Sequence, residues 1–161
     1  MSTIYHLQVC HPEAFCAAPR PGEFDVQIIA PPDPTLNQRF YRNVGSKWEW
    51  TDRLQWSDGD WQRYVLRDAL TTCVGYLGSQ EVGYFELESQ TGGDVEIVYF
   101  GLLPDFIGRG LGGALLSAAV ERAWKMTGTQ RVWVHTCTED HKHALDNYRR
   151  RGFVLFKTEE V

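Results

Sequence analysis

The sharpest change of hydrophobic pattern along the chain falls between Asp94 and Met126. Val95 to Leu103 is a near-continuous apolar run, which predicts a strand. Pro104 and Asp105 break the run, and glycines follow at positions 108, 110, 112 and 113. The sequence then resumes with the apolar spacing of a long amphipathic helix. A strand, a glycine-rich turn and a helix start in succession collect free backbone N–H groups where the helix macrodipole is positive. Such a junction is an anion site, and phosphate is its usual guest.

The flanking patterns predict the remaining elements. Tyr5–Val9 and Phe24–Ala30 read as strands, separated by a proline-rich loop from Pro12 to Gly22. Pro31, Pro32 and Pro34 stop the second strand, because proline cannot donate to a ladder. Asp33 caps a helix that starts at Pro34 and ends at Gly45. A second helix starts at Ser57 or Asp58. Leu70–Leu77 and Glu81–Glu88 form a hairpin around residues 78–80, and Thr91–Asp94 turns the chain into the apolar strand. Turns this short make those three strands antiparallel. After the long helix, Arg131–Thr136 is a strand and Asp140 or Thr138 caps a helix running to Arg151. Phe153–Lys157 is the last strand. The expectation is an α/β fold with a mixed, mostly antiparallel central sheet flanked by about four helices, in a single domain over residues 1–161.

The totals narrow the field. At 161 residues and 43% apolar content the chain can bury a substantial core. Its net charge of −5 argues against a general nucleic-acid binder. No apolar run approaches the roughly 18 residues of a membrane span. The start of the chain lacks a signal-peptide pattern, and Cys10, Cys16, Cys73 and Cys137 are scattered as reduced thiols. A cytoplasmic protein is therefore expected, as monomer or homodimer.

The glycine spacing selects among phosphate ligands. No Gly-Lys-Ser/Thr follows, so it is not a Walker loop. Gly108, Gly110 and Gly113 fit G-x-G-x-x-G, but that fingerprint requires an opening βαβ unit and an acid at the end of the next strand. Here the stretch comes late and the next strand ends His135-Thr136-Cys137, which disfavours a dinucleotide.

Two motifs together resemble the GNAT N-acetyltransferase superfamily, in a bacterial subgroup of unassigned substrate. Residues 107–112, Ile-Gly-Arg-Gly-Leu-Gly, align with Q/R-x-x-G-x-G/A, with Ile107 at the Gln/Arg position. Ala144, Tyr148, Gly152 and Phe153 match N-x-x-A-x-x-x-Y-x-x-x-G-F, with His141 at the Asn position. The run W-x-W-x-D-R-L-x-W at residues 48–56 is similar too. The resemblance implies acetyl-CoA as co-substrate and an amine as acceptor. It implies that Ile107, Gly108, Arg109, Gly110, Leu111, Gly112 and Gly113 hold the pyrophosphate, joined by His141. It also implies that strand amides near Leu102 and Leu103 receive the thioester. The family commonly ends in two strands after the last helix. This chain has one, so either the extra N-terminal strand or a partner chain fills the place.

Acetyl transfer needs a base for the amine, donors for the developing oxyanion and a proton for the leaving thiolate. Glu96 is the expected base, because a carboxylate in an otherwise apolar strand is expensive unless used; the alternative is a solvent-facing strand-end Glu. His135 on the neighbouring strand is the second candidate base. Tyr148 is the expected acid by resemblance, against a core tyrosine. Trp48, Trp50 and Trp56 form an aromatic wall over the acceptor or cover one end of the sheet, and Asp52 or Arg53 supply the wall's polar groups. His135, Cys137, His141 and His143 follow no zinc spacing, so no metal is expected. The acceptor is expected to be a small amine, or else a peptide amine. A non-catalytic acyl-CoA sensor is the rival reading.

Overall fold

The computed structural model describes residues 2–48, 50–138, 140 and 143–161. In chain order the elements are β1 (Thr3–Val9), β2 (Phe24–Ile28), α1 (Pro34–Gly45), α2 (Asp58–Val65), β3 (Leu70–Leu77), β4 (Gln80–Ser89), β5 (Asp94–Leu102), α3 (Leu111–Lys125), β6 (Arg131–Cys137), α4 (Ala144–Arg150) and β7 (Val154–Glu160). The strands form one sheet in the order β2-β3-β4-β5-β6-β1-β7. Every pairing is antiparallel except β5 with β6. The mixed, mostly antiparallel sheet expected from the sequence is observed.

The first strand lies next to the single C-terminal strand. β1 lies between β6 and β7 and pairs antiparallel with both, from Ile4↔Cys137 to Val9↔Val132 on one side and from Thr3↔Glu160 to Gln8↔Val154 on the other. Leu7 and Val9 point into the core beneath α3. The N-terminal strand thus joins the single C-terminal strand to the rest of the sheet.

The two faces of the sheet are covered by different helices. α3 buries Leu115, Leu116, Ala119 and Ala123 against Phe85, Leu87, Val95, Ile97, Val132 and Val134. α1 lays Phe40 and Val44 on Val74 and Tyr84 of the opposite face. The local starts follow from the sequence. Asp33 accepts from the N–H groups of Thr35 and Leu36, with Pro34 in the first turn, and Ser57 and Asp60 form a reciprocal capping box on α2. α4 departs from expectation. It starts at Ala144 with His143 at the N-cap, not at a cap on Asp140. Asp140 instead closes the preceding turn, accepting from the Thr136 hydroxyl and from the Cys137 N–H at 2.9 Å.

On the α1 face an ion pair is sealed inside the molecule. Glu86 of β4 is fully buried and Arg53 is 5% exposed, with Nη1 at 3.1 and 3.2 Å from the two carboxylate oxygens. Asn37 of α1 adds a 2.8 Å hydrogen bond to Glu86. Tyr41, Trp56, Trp61, Tyr64 and Tyr99 ring the guanidinium with centroids 4.1 to 5.8 Å away. The rings contribute cation–π attraction and exclude water. Removing one member of such a pair strands a buried charge, which costs more than the pair itself contributes. Arg53→Met is expected to lower the unfolding free energy by about 3–5 kcal/mol in urea titration. Arg53→Met combined with Glu86→Leu should recover a large part of that loss. A wild-type midpoint for the single variant would show that the pair is not a constraint on the fold.

Candidate active site

The site arises where the sheet comes apart. β5 and β6 pair from Asp94↔Arg131 to Ile97↔Val134, and no further. At the same level the β4–β5 register shifts: Leu87 faces Ile97 and Glu86 faces Tyr99, so Val98 is the extra residue. A bulge of this kind bends and twists its strand. Beyond it β5 stays with β4 while β6 stays with β1, and a cleft of about 980 Å³ opens between them. Its walls include Val98–Leu102, Val134–Cys137, the turn after β5, the face of α4 carrying Ala144 and Tyr148, and the segment around Trp50.

At one end of the cleft stands the start of α3. Gly108 and Gly110 hold φ values of 82° and 77°, a left-handed backbone that other residues rarely adopt. Gly110 is the N-cap and offers no side-chain acceptor to the first turn. The N–H groups there therefore lack an intramolecular cap. Ile107, Gly108, Gly112 and Gly113 line the cleft; Leu111 is buried beneath it, and the Arg109 guanidinium lies 5.2 Å from the Phe106 ring. An uncapped first turn beside left-handed glycines offers the backbone donors that a diphosphate needs. His141 lies outside the described residues.

Along β5 the amide set differs from expectation at one position. The Leu103 N–H donates to the Val82 carbonyl at 2.8 Å, so it is not a free strand amide. Strand alternation then turns the Leu102 N–H the other way, toward the cleft. Leu102 lines the cleft and Leu103 does not.

Glu96 and His135 come together, with distinct positions. Glu96 is 8% exposed and outside the cleft lining; His135 lines it. The Glu96 carboxylate faces His135 Nδ1 at 3.1 Å and accepts from Gln90 Nε2 at 2.9 Å. Gln90 is itself fixed, since its carbonyl oxygen accepts from Trp133 Nε1 at 2.9 Å and its amide also donates to Glu88 at 2.8 Å. With Nδ1–H donated to Glu96, His135 Nε2 is left as an acceptor, a tautomer assigned from the network. The Glu96 hydrogen bond holds the His135 pKa above its ordinary value; burial opposes this, and the charges of Glu96, Asp140 and Asp52 add to it. Tyr148 is 7% exposed and lines the cleft from α4; burial, aided by Asp140, raises its phenol well above the ordinary range, so it stays protonated.

The tryptophan segment divides. Trp48, Trp50 and Asp52 line the cleft. Asp52 accepts from the Tyr99 hydroxyl at 3.3 Å, and Trp50 Nε1 lies 3.4 Å from Asp140. Arg53 is spent on Glu86, and Trp56 packs on Trp61 and Tyr64 outside the cleft. Several lining residues escaped the sequence reading. Asn147 stands three positions after Ala144 and next to Tyr148, and helical spacing alone would have found it. Ile4 reaches the wall through the β1–β6 pairing, which no local signal announces. Among the described residues no group of His, Cys, Asp and Glu gathers to hold a metal ion, and no helix is long and apolar enough to cross a membrane.

Residues 34–153 match the model of the acetyltransferase (GNAT) family. No curated protein matches the chain. Its fold is similar to a GCN5-related N-acetyltransferase from Kribbella flavida, with a TM-score of 0.70 and 18% identity over 97% of this chain and 55% of that one. It is similar to another from Sphaerobacter thermophilus, with a TM-score of 0.70 and 20% identity over 98% and 49%. An aminoglycoside acetyltransferase from an uncultured soil metagenomic sample, solved with trehalose, gives 0.65 and 18% over 80% and 87%. The chain thus spans about half the length of the first two. At these identities the likeness is one of fold.

The Glu96–His135 contact has a pH signature. Because the His135 pKa is raised on folding, the extra stabilisation from the charged ring is fully present below the unfolded value of about 6.5 and is lost as pH rises through the folded value, where the neutral ring keeps only its Nδ1–H hydrogen bond. Glu96→Gln should therefore cost stability near pH 5.5 and little near pH 9, and should lower the His135 pKa followed by NMR. An imidazole titration unchanged by Glu96→Gln would refute the contact.

Proposed function

The chain belongs to the GNAT acetyltransferase family, and from that membership and the cleft we propose that it transfers an acetyl group from acetyl-CoA to a primary amine of a small acceptor. The observation that carries this reading is the convergence on one cleft of three features: an uncapped glycine turn at the start of α3, a buried neutral phenol at Tyr148, and an imidazole at His135 backed by Glu96.

When bound, acetyl-CoA supplies a thioester whose carbonyl an amine can attack. The first-turn amides of α3 hold its diphosphate, with the backbone of residues 108–113 as the cradle. The Leu102 N–H, turned toward the cleft, donates to the thioester arm lying along β5 as the amine adds to the carbonyl carbon and the C–S bond breaks. His135 Nε2 takes the proton from the acceptor ammonium, and Glu96 fixes the ring through Nδ1 and favours the imidazolium that forms. Glu96 itself is a positioning residue here, since His135 stands between its carboxylate and the cleft lining. The Tyr148 hydroxyl gives its proton to the departing sulfur. Burial keeps that proton in place at neutral pH.

The acceptor end carries Trp48, Trp50, Tyr99, Asp52 and Asp140. Aromatic faces beside carboxylates favour a small cationic amine. The aminoglycoside acetyltransferase among the similar folds supports including amino sugars with simple di- and polyamines in an acceptor screen.

Amine-dependent release of CoA thiol from acetyl-CoA is the test. Binding of acetyl-CoA without thiol release across the panel would favour an acyl-CoA sensor. Once an acceptor is found, Tyr148→Phe and His135→Asn are each expected to lower kcat by about 10²–10⁴ with little change in acetyl-CoA KM. Glu96→Gln should retain part of the activity and shift the acidic limb of the pH–rate profile to lower pH. A near wild-type kcat for Tyr148→Phe would make that residue a core tyrosine only.

A further inference from the structure

Glu88 of β4 and Glu96 of β5 are direct partners across the ladder, and Trp133 of β6 is the partner of Glu96 on its other side. Residues directly opposite one another share a face of the sheet, and like charges so placed destabilise it. Two carboxylates therefore face each other one strand away from the His135 ring.

One amide stands between them. Gln90 Nε2 donates to Glu88 at 2.8 Å and to Glu96 at 2.9 Å, so each carboxylate takes one of its two hydrogens. The orientation of this amide is decided by Trp133. An indole N–H can only donate, so the Gln90 oxygen must face it, which it does at 2.9 Å, and both amide hydrogens then point to the carboxylates. The Gln90 backbone is held as well, its N–H donating to the Asp94 carbonyl at 2.7 Å across the β4–β5 turn.

The two carboxylates are otherwise treated differently. Arg67 pairs with Glu88 at 2.7 Å. Burial works against the Glu88 charge, and the Gln90 and Arg67 hydrogen bonds outweigh it, holding that carboxyl below its usual range. No arginine or lysine pairs with Glu96 among the described residues; it has Gln90 and the His135 ring. The charged and titratable groups facing that ring are Glu96 from β5, Asp140 after β6, Asp52 before α2 and His6 of β1, whose ring centroid lies 5.9 Å away. Of these, Glu96 is the group that bonds His135 Nδ1. Without the amide, Glu96 would meet the Glu88 charge with only the imidazole to offset it.

We propose that Gln90 is a positioning residue for the base: by donating to both carboxylates it screens Glu96 from Glu88 and keeps the Glu96 charge aimed at His135 Nδ1. Its place in the reaction rests on His135 acting as the base, as proposed above.

Imidazole titration by NMR tests the assignment without any turnover, with the His135 signal identified by its loss in His135→Asn. Gln90→Met should lower the His135 midpoint part of the way to that of Glu96→Gln. Adding Glu88→Gln to that variant should raise it again, because the repulsion is gone and the introduced amide can donate to Glu96. Loss of a negative charge near an imidazole has by itself the opposite sign, so this recovery separates positioning from general electrostatics. Once an acceptor is found, the acidic limb of the pH–rate profile should follow the midpoint, lower in Gln90→Met and restored in the double variant. Trp133→Phe frees the Gln90 oxygen and should also lower the midpoint. It is the readable variant should Gln90→Met fail to fold by circular dichroism. An unchanged midpoint in the folded variants would overturn the assignment while leaving the proposed function standing, and so would a double variant no higher than Gln90→Met. A midpoint that falls while the acidic limb stays in place would instead overturn His135 as the base, and the part of Gln90 in the reaction with it.

Discussion

Hydrogen bonding between β5 and β6 stops after four residue pairs, and the cleft exists because of it. A sheet that continued past Ile97 would bury the amides of β5 in a ladder and leave no space between the strands. The extra residue at Val98 interrupts the register while β5 stays paired with β4, and β6 is held to the other side by six pairs with β1. Beyond Ile97 and Val134 each strand is thus engaged on its outer edge and unpaired on its inner one. Unpaired strand groups are costly in a dry interior. They are tolerable here because the cleft admits water or a ligand with polar atoms of its own. The position of β1 is part of the same constraint, for without it β6 would be an edge strand with no outer partner.

The buried Arg53–Glu86 pair anchors the aromatic wall beside that opening. Trp50 and Tyr99 touch the cleft on one side, and Tyr41 and Tyr99 touch the guanidinium on the other. Tyr41 links them further: its hydroxyl accepts from the Arg53 N–H at 3.0 Å, and its ring packs on Trp50 with centroids 5.6 Å apart. One segment, residues 48–56, therefore sends its early residues to the site and its later ones to the core. A similar division of labour runs through Glu88, Gln90, Glu96 and His135. Gln90, oriented by Trp133, bridges the two carboxylates, and the imidazole is the member of this chain that lines the cleft.

Most of the fold was legible in the sequence because its elements carry local signals. The β5–turn–α3 unit announced itself by an apolar run, a proline break and closely spaced glycines. α1 and α2 were marked by Asp33-Pro34 and by Ser57, whose caps the structure contains. The start of α4 was misplaced because Asp140 has the chemistry of a cap and used it on a turn instead. Of the residues lining the cleft, Ile107, Gly108, Gly112, Gly113, His135, Trp48, Trp50 and Asp52 were named from the residues or the resemblance and Tyr148 from the resemblance, whereas Glu96, named as the base, lies behind His135. Arg53 and Trp56 were named with them, but Arg53 is buried against Glu86 and Trp56 packs over it away from the cleft, since a period-free aromatic segment does not reveal which side each residue takes. Leu103 was expected to offer a free amide, and a single hydrogen bond to Val82 decides otherwise.

By itself the sequence determined the secondary structure, the antiparallel run of β3, β4 and β5, and the chemistry available at the start of α3. These depend on interactions within a few residues or across one short turn. Only the tertiary structure decided that β1 inserts between β6 and β7, that Glu96 lies behind His135, and that Trp133 orients Gln90. Each of these joins residues far apart along the chain, and their contact follows from how the sheet closes and the helices pack on it, which local patterns do not encode.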